Sequence, residues 1–324
     1  MTKLRGLIVL VLLSLVLLGA PGLAQDFEPG KNTVMVPMKD GVGLATDIWL
    51  PEGDGPWPVV MARTPYDKNP TAGGEFNANG MALVVQDVRG RFASEGEARP
   101  FVDDGWGKNR DGRDTAKWIV AQQWCNGEIA TFGASALGMT QYLLAGNNPR
   151  GLVACYPVVA CASMYHNGFY EGGAFRQALV EPWLEATGWP EYALEDSLSH
   201  PRYDALWKAI DLNTRARRVR VPMMHVGGWH DVFTQGTVDA FMALQYGGGK
   251  GARGRQHLIM GPWPHGIKTT KVGELAYPEN AVWPEGAPEE MAWISAFLLS
   301  GGAGMDELPT VWYYVMGDVD AEDA

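Results

Sequence analysis

The chain has 324 residues, of which 46% are hydrophobic and 10% aromatic, so it can bury one large core and is not expected to be disordered. Its 26 basic and 37 acidic side chains give a formal charge of −11, and no run of Lys or Arg forms the basic stripe that a nucleic-acid backbone needs. We therefore predict a globular protein with no nucleic-acid partner.

The N-terminus has the order of a secretory signal. Two basic residues precede an apolar run from Leu7 to Leu18, and small residues follow up to Gly22. We predict a signal peptide over residues 1–24 with cleavage after Ala24, and hence an exported protein, periplasmic or secreted, without stable membrane insertion after cleavage. An uncleaved anchor is the alternative, although the run is short for a bilayer of about 30 Å.

The first segments are strand-like, and strands and helices then alternate. Short segments rich in Val, Ile and Trp are separated by Gly, Pro and Asp, and a fully apolar segment suits a strand buried on both faces. This order predicts an α/β protein with a doubly wound, mostly parallel sheet and right-handed crossovers. The predicted strands are 33–38, 43–50, 58–63, 81–85, 128–132, 152–160, 221–226 and 256–260, and the predicted helices are 113–123, 136–145, 237–244 and 289–299.

The alternation stops between residues 163 and 218. Tyr, Trp, Glu and Ala are dense there, strand-like runs are absent, and helices are predicted at 178–186 and 202–210. We interpret residues 163–218 as a helical cap inserted into one catalytic domain, which residues 25–162 and 219–306 form.

Ser135 lies between a predicted strand and a predicted helix, with Gly or Ala at the two positions before it and at the one after. Such a sharp turn strains its central residue and exposes the hydroxyl over the sheet edge, where the helix N-terminus stabilises negative charge. The pattern departs from Gly-x-Ser-x-Gly because Leu137 takes the second glycine position. From this motif alone, a helix-capping serine is an equally good interpretation.

A serine nucleophile needs a base and an orienting carboxylate, which in this kind of sheet follow in the order Asp, His on loops after later strands. Asp231 and His265 each follow a predicted strand, at the edge where α/β sheets keep their sites. They are the candidate acid and base.

The other histidines fit this role less well. His225 and His257 fall inside or at the start of strands and are expected in the core or at an edge, and His166 and His200 belong to the cap. His230 is the main rival. We interpret it as a pocket or structural residue, because His230 and the adjacent carboxylate would have to point the same way.

Five motifs in this order resemble the cocaine esterase and Xaa-Pro dipeptidyl-peptidase-like (CocE/NonD) group of α/β-hydrolases, from about Thr33 onward. In that family the glycine stands three residues after the serine, as Gly138 does here. The resemblance implies an α/β-hydrolase fold in which Ser135 is the nucleophile, Asp231 the orienting acid and His265 the base. The motifs are Arg63-Thr-Pro-Tyr-Asp-Lys68, Asp87-Val-Arg-Gly-Arg-Phe-Ala-Ser-Glu-Gly96, Gly133-Ala-Ser-Ala-Leu-Gly138, Gly227-Gly-Trp-His-Asp-Val-Phe233 and Gly261-Pro-Trp-Pro-His265.

The resemblance also implies an oxyanion hole formed by the Tyr66 hydroxyl and the Ala136 N–H, each such donor being worth about 3 kcal/mol in the transition state. Asp87, Arg89 and Arg91 are interpreted as a charge network that braces a loop beside the site.

Four residues are candidates for contact with the substrate. Trp229, Trp263 and Phe169 are candidates for an apolar acyl pocket, with burial in the core as the alternative. Glu171 is a candidate partner for a substrate amine, as in aminopeptidase-like relatives, with a solvated glutamate as the alternative.

These residues predict a serine hydrolase that cleaves a small-molecule ester or amide, or a short peptide, through an acyl-enzyme without a metal or organic cofactor. The oligomeric state is not predicted. A non-catalytic binding protein or an inactive fragment is the alternative.

Members of the family usually continue into a jelly-roll domain. We predict that residues 307–324, with a strand-like segment at 310–316, begin such a domain that is then cut short, which would expose a large apolar patch. Cys125, Cys155 and Cys161 fit neither a zinc site nor an even-numbered disulfide framework, and Cys155 and Cys161 are predicted to be buried thiols.

Overall fold

The structure is a computed structural model that describes residues 27–317. The predicted signal peptide lies outside the described residues. Among the described residues, no helix combines the length and the apolar character that a membrane crossing needs.

Thirteen strands are described, and nine of them form one sheet. The strands are β1 (Gly30–Pro37), β2 (Gly43–Leu50), β3 (Trp57–Thr64), β4 (Ala82–Asp87), β5 (Cys125–Ala134), β6 (Leu152–Val158), β7 (Tyr170–Glu171), β8 (Ala174–Phe175), β9 (Met223–Gly228), β10 (Gln256–Gly261), β11 (Lys271–Val272), β12 (Leu275–Ala276) and β13 (Val311–Tyr313).

The large sheet has the order β1-β2-β4-β3-β5-β6-β9-β10-β13. β2 is antiparallel to β1 and to β4, and every other neighbouring pair is parallel. The sheet is therefore mixed but mostly parallel, as predicted. Its strand order is the one that the resemblance to α/β-hydrolases implies.

Helices cover both faces of the sheet. Apolar residues of α3 and α7 share one buried cluster with the cap, and those of α8 form a second cluster on the opposite face. The helices are α1 (Gly74–Ala78), α2 (Asp111–Ile119), α3 (Ala136–Asn147), α4 (Gln177–Ala186), α5 (Glu191–Ser199), α6 (Ala205–Lys208), α7 (Thr234–Gly247) and α8 (Glu290–Ser300).

Residues 163–218, interpreted as the cap, are mainly helical, but three details differ from the prediction. A π-helix (Met164–Phe169) leads into the short β7–β8 hairpin, although no strand was predicted there, and α5 was not predicted. The helix predicted at 202–210 is only the four residues of α6. Asp204 explains this late start, since its carboxylate accepts from the N–H groups of Leu206 and Trp207 and so caps the helix.

The segment after α8 contains the strand predicted near residue 310. β13 pairs in parallel with β10 and forms an edge strand of the large sheet. Exposed Val311, Tyr313, Val315 and Met316 lie on this strand or directly after it, so apolar side chains are accessible at this edge. The three cysteines are buried and unpaired.

Candidate active site

Ser135 forms the turn between β5 and α3. Its φ of 58° and ψ of −125° lie in a region that residues with a side chain rarely adopt. The Ser135 N–H donates to the Val158 carbonyl at the end of β6, at 2.9 Å. The strained turn is therefore anchored to the sheet and presents the hydroxyl at the carboxyl edge of the parallel strands.

Two glycines allow this turn. A Cβ on Gly133 would lie 2.7 Å from the Cβ of Leu137, and a Cβ on Gly138 would lie 2.6 Å from the Cβ of Ala160. Both distances are shorter than real carbon contacts, so neither position tolerates a side chain without a shift of the backbone. The close approach of α3 to the segment after β6 is thus the physical reason for a glycine three residues after the serine.

Ser135, His265 and Asp231 form one hydrogen-bonded chain. The His265 Nε2 atom lies 2.9 Å from the Ser135 Oγ, and the His265 Nδ1 atom lies 2.7 Å from Asp231 Oδ1. The Asp231 side chain is 0% exposed and the imidazole is 43% exposed. This arrangement joins an accessible hydroxyl to a buried carboxylate through an imidazole, which is the geometry of a nucleophile, a base and an orienting acid.

The loops that carry Asp231 and His265 are joined by backbone hydrogen bonds. The Trp229 N–H donates to the Gly261 carbonyl at 2.9 Å, and the His230 N–H donates to the Trp263 carbonyl at 3.0 Å. The distance between the acid and the base is therefore held by the backbone.

Tyr66 and Ala136 lie at the same cavity as Ser135. Ala136 is the first residue of α3, so its N–H has no acceptor within the helix. The Tyr66 hydroxyl accepts a hydrogen bond from the indole N–H of Trp183 in the cap, at 3.0 Å. Asp87 holds the loop after Tyr66, because its carboxylate accepts from the Lys68 N–H at 2.8 Å. Both predicted oxyanion donors therefore line the cavity that Ser135 also lines.

A cavity of about 150 Å³ adjoins the Ser135 hydroxyl. Its wall is almost entirely apolar, and among the residues that line it none is acidic or permanently charged. Besides Tyr66, Ser135, Ala136 and His265, the main lining residues are Phe101, Met139, Met164, Phe169, Leu179, Val180, Trp183, Val232 and Phe233.

Of the four predicted substrate residues, only Phe169 lines this cavity. Trp229 is 36% exposed, and its indole N–H donates to the Tyr314 carbonyl outside the cavity, at 2.8 Å. Glu171 lies in the β7–β8 hairpin, and its side chain is 68% exposed and ion-paired with Arg176 at 3.4 Å. Trp229 and Glu171 were predicted to contact the substrate, but neither lines the cavity.

Trp263 was also a candidate for the pocket wall, but it is a core residue. The side chain is fully buried, its indole N–H donates to the Ala281 carbonyl at 2.8 Å, and it stacks on Trp283 with 5.5 Å between ring centroids. A Cβ on Gly261 would lie 2.2 Å from this indole. Trp263 therefore supports the His265 loop from below.

Sequence analysis missed most of the pocket wall. Phe233 packs edge-on against the His265 ring at 5.4 Å, and it stands two residues after Asp231 in the same motif. Met139 lies one helical turn after Ser135. Both positions could have been proposed from spacing alone. The inward face of α4 was also missed, although Leu179, Val180 and Trp183 recur there at helical spacing.

Three of the other histidines have structural surroundings. His225 is buried and lies 2.8 Å from the Tyr142 hydroxyl, and burial lowers the pKa of His225 to about 4. Burial also lowers the pKa of His257. His230 Nε2 lies 2.8 Å from the Tyr277 hydroxyl. These contacts agree with the structural interpretation of all three residues.

The predicted charge network braces both the core and the cap. Arg89 pairs with Asp111 at 2.7 Å and with Asp40 at 2.9 Å, and the hydrogen bond from Arg89 lowers the pKa of Asp40. The Arg91 guanidinium donates to the carbonyls of Thr187 and Gly188 in the cap.

Comparison with known proteins identifies relatives over most of the chain. The profile of the X-Pro dipeptidyl-peptidase (S15 family) matches residues 40–191 and 188–267. Cocaine esterase from Rhodococcus sp. (strain MB1 Bresler) is 32% identical over an alignment that covers 88% of this chain and 58% of that protein.

Solved structures share the fold. An aminopeptidase from the marine sediment archaeon Thaumarchaeota archaeon superposes with a TM-score of 0.71 at 23% identity, over 93% of this chain and 60% of that one. An α-amino acid ester hydrolase superposes with a TM-score of 0.70 at 24% identity, over 94% of this chain and 60% of that one. The chain thus spans about three fifths of the length of these proteins.

Proposed function

Because the chain belongs to the X-Pro dipeptidyl-peptidase (S15) family, we propose that it is a serine hydrolase in which Ser135, His265 and Asp231 cleave a carboxylic ester. The hydrogen-bonded chain from Ser135 Oγ through the imidazole to the buried carboxylate carries this proposal. Such a chain polarises the hydroxyl for attack, and a serine that merely caps a helix has no need of it.

In the acylation step, Ser135 Oγ attacks the ester carbonyl carbon while His265 Nε2 accepts the hydroxyl proton. Asp231 accepts a hydrogen bond from His265 Nδ1–H and stabilises the imidazolium that forms. The tetrahedral intermediate then collapses, and the leaving alkoxide takes the proton from Nε2. Water repeats the sequence on the acyl-enzyme and releases the acid and free Ser135.

The oxyanion of each tetrahedral intermediate is held by the Ala136 N–H and the Tyr66 hydroxyl. Tyr66 is suited to donate, because its oxygen already accepts the hydrogen bond from Trp183 and its own proton remains available. The N-terminus of α3 adds its positive dipole end at the same place.

The cavity favours an apolar acyl group of about the size of one aromatic ring. Its volume of about 150 Å³ is comparable to an engineered apolar cavity that holds benzene. A peptide substrate of the Xaa-Pro type would place an α-ammonium group near this wall, where no carboxylate lines the cavity. Since an unpaired charge in an apolar site is costly, we propose an uncharged ester and not a dipeptide.

Intact-mass labelling with a fluorophosphonate tests the nucleophile. We expect one adduct on the wild-type chain and none on Ser135→Ala, whose turnover of an aryl benzoate should fall by about a million-fold. Ser199→Ala, a change at an exposed serine of α5, is the matched control and should label like the wild type.

Three results would contradict the proposal in whole or in part. An adduct that persists on Ser135→Ala would place the nucleophile elsewhere. No adduct on a wild-type chain with a cooperative unfolding transition would favour the non-catalytic alternative. Faster turnover of Ala-Pro p-nitroanilide than of the benzoate would leave the nucleophile in place but overturn the substrate class.

A further inference from the structure

A basic surface formed by Arg217, Arg218, Arg220, Lys250 and Arg253 lies at the edge of the sheet opposite Ser135. All five residues are exposed. The first three precede β9 and the other two precede β10, and these parallel strands begin at the same edge. Ser135 follows the carboxyl end of β5, so the basic surface and the active site face opposite ways.

The backbone joins the two segments that carry the basic surface. The Gly249 N–H donates to the Val219 carbonyl at 2.8 Å. A Cβ on Gly251, which has a φ of +99°, would lie 2.4 Å from the Arg220 carbonyl oxygen. Side chains of Arg217, Lys250 and Arg253 line one cavity of about 510 Å³. Glycines therefore allow two basic segments that are distant in sequence to form one surface, which the sequence analysis did not foresee.

This surface is unusual in a chain with a net charge of −11. No Asp or Glu occurs at positions 212–230, nor at any position from 240 to 273. Among the described residues, none of the five basic side chains forms an ion pair. Of their basic neighbours, Arg255 pairs with Asp306 at 2.7 Å, and Arg215 stacks on Trp106 at 5.0 Å.

Exposed apolar side chains lie at the same edge. The last turns of α7 carry Met242 and Tyr246, which are 48% and 68% exposed, just before Lys250.

We propose that the basic surface docks on a membrane that contains anionic lipid headgroups, so that the active-site cavity opens into the water away from the bilayer. Guanidinium and ammonium groups bind lipid phosphates, and an exposed tyrosine beside them suits the membrane interface. A nucleic-acid duplex would account for the charges but not for the adjoining apolar side chains. Each basic residue near an anionic surface adds about fivefold to the partition coefficient.

Sedimentation with vesicles tests this docking on the full chain. Vesicles of phosphatidylcholine alone are compared with vesicles that also contain phosphatidylglycerol, at low and high sodium chloride. We expect much stronger binding to the anionic vesicles, and salt should weaken it. The variant with R217Q, R218Q, K250Q and R253Q should lose about 100-fold or more of this binding.

A matched control removes four exposed basic residues from the carboxyl edge, as K39Q, K108Q, R113Q and K271Q. It has the same net charge as the first variant and should bind like the wild type. Ester turnover serves as the folding check for both variants. Equal losses in the two variants, or equal binding to both kinds of vesicle, would overturn the proposal.

Two further measurements distinguish lipid headgroups from free phosphate and from nucleic acid as the bound anion. In the first, inorganic phosphate and sodium chloride are compared at equal ionic strength as competitors for the vesicle-bound protein. If only phosphate displaces the protein, the surface is a site for free phosphate, and surface docking is overturned. Binding to a DNA duplex without binding to the anionic vesicles would also overturn it.

Discussion

The catalytic edge and the cap are held in place by different interactions. At the catalytic edge, backbone hydrogen bonds join the turn at Ser135 to β6 and the loop of Asp231 to the loop of His265. Glycines at the closest approaches leave no room for alternative packing. In the cap, side chains make the main links to the core outside the apolar cluster, as with Arg91 on cap carbonyls and Arg99 on Asp196.

This difference separates the chemistry from the choice of substrate. A base must stay within hydrogen-bond distance of its nucleophile, so its position is best set by the backbone. An acyl pocket needs only shape and apolar surface, which side chains on α4 can supply and change. We therefore expect substitutions at the catalytic edge to lower kcat, and substitutions in the cap to change KM.

Asp231→Asn is the strongest test of the catalytic edge. The amide cannot hold His265 in the tautomer that accepts the serine proton, so kcat should fall by about 10⁴-fold with little change in KM. The free energy of unfolding should hardly fall, because the buried Oδ2 of Asp231 has no partner among the described residues and the carboxylate has little native hydrogen bonding to lose.

Steady-state kinetics and urea unfolding measure both effects. Asp306→Asn, which removes only the exposed partner of Arg255, is the control and should leave kcat unchanged. A kcat for Asp231→Asn within tenfold of the wild type would mean that Asp231 does not orient the base.

Gly138→Ala tests whether the turn tolerates any added volume. The new Cβ would lie 2.6 Å from the Cβ of Ala160, so α3 must shift and move Ser135 with it. A displacement of about 1 Å lowers the rate by about 100-fold, and overpacking lowers the free energy of unfolding by about 1 to 3 kcal/mol.

Gly247→Ala gives a matched comparison, since the nearest atom to its Cβ would be 4.0 Å away, on Ala216. This control should keep full activity and lose no stability. Equal behaviour of the two variants would show that the packing beneath the turn is softer than the distances indicate.

The same contrast explains what the sequence could predict. Ser135, Asp231 and His265 each follow a strand that is visible as an apolar run, and the carboxyl ends of parallel strands meet at one edge. Trp263 stands two residues before His265 and was expected in the pocket, yet it points into the core. Near a site, the direction of a loop side chain depends on what packs beneath it, and spacing does not show that.

The cap and the last strand show a further limit. The helical character of residues 163–218 follows from composition, but the face of α4 that carries Trp183 depends on the surface it covers. β13 was correctly expected to be extended. Its pairing with β10 was not predicted, because an apolar alternation does not show which strand a segment pairs with. The pairing of a strand and the buried face of a helix are both set by the assembled core.

Trp183→Phe tests a hydrogen bond from the cap to one of the proposed oxyanion donors. Phenylalanine keeps an aromatic wall but removes the N–H that donates to the Tyr66 hydroxyl at 3.0 Å. Since a neutral hydrogen bond contributes about 1 kcal/mol, kcat should fall by roughly fivefold to tenfold, with a smaller change in KM. Trp183→Phe should therefore lower kcat, whereas other cap substitutions should change KM.

A double-mutant comparison shows whether Trp183 acts through Tyr66. Tyr66→Phe should itself lower kcat by about 100-fold to 1,000-fold. In that background, Trp183→Phe should leave kcat unchanged, since no hydroxyl remains to be oriented. Trp189→Phe, at a cap tryptophan that stacks on Arg91 at 4.5 Å, is the control. If Trp183→Phe lowers kcat equally in both backgrounds, Trp183 affects the chemical step without the Tyr66 hydroxyl, and the cap is not limited to the choice of substrate.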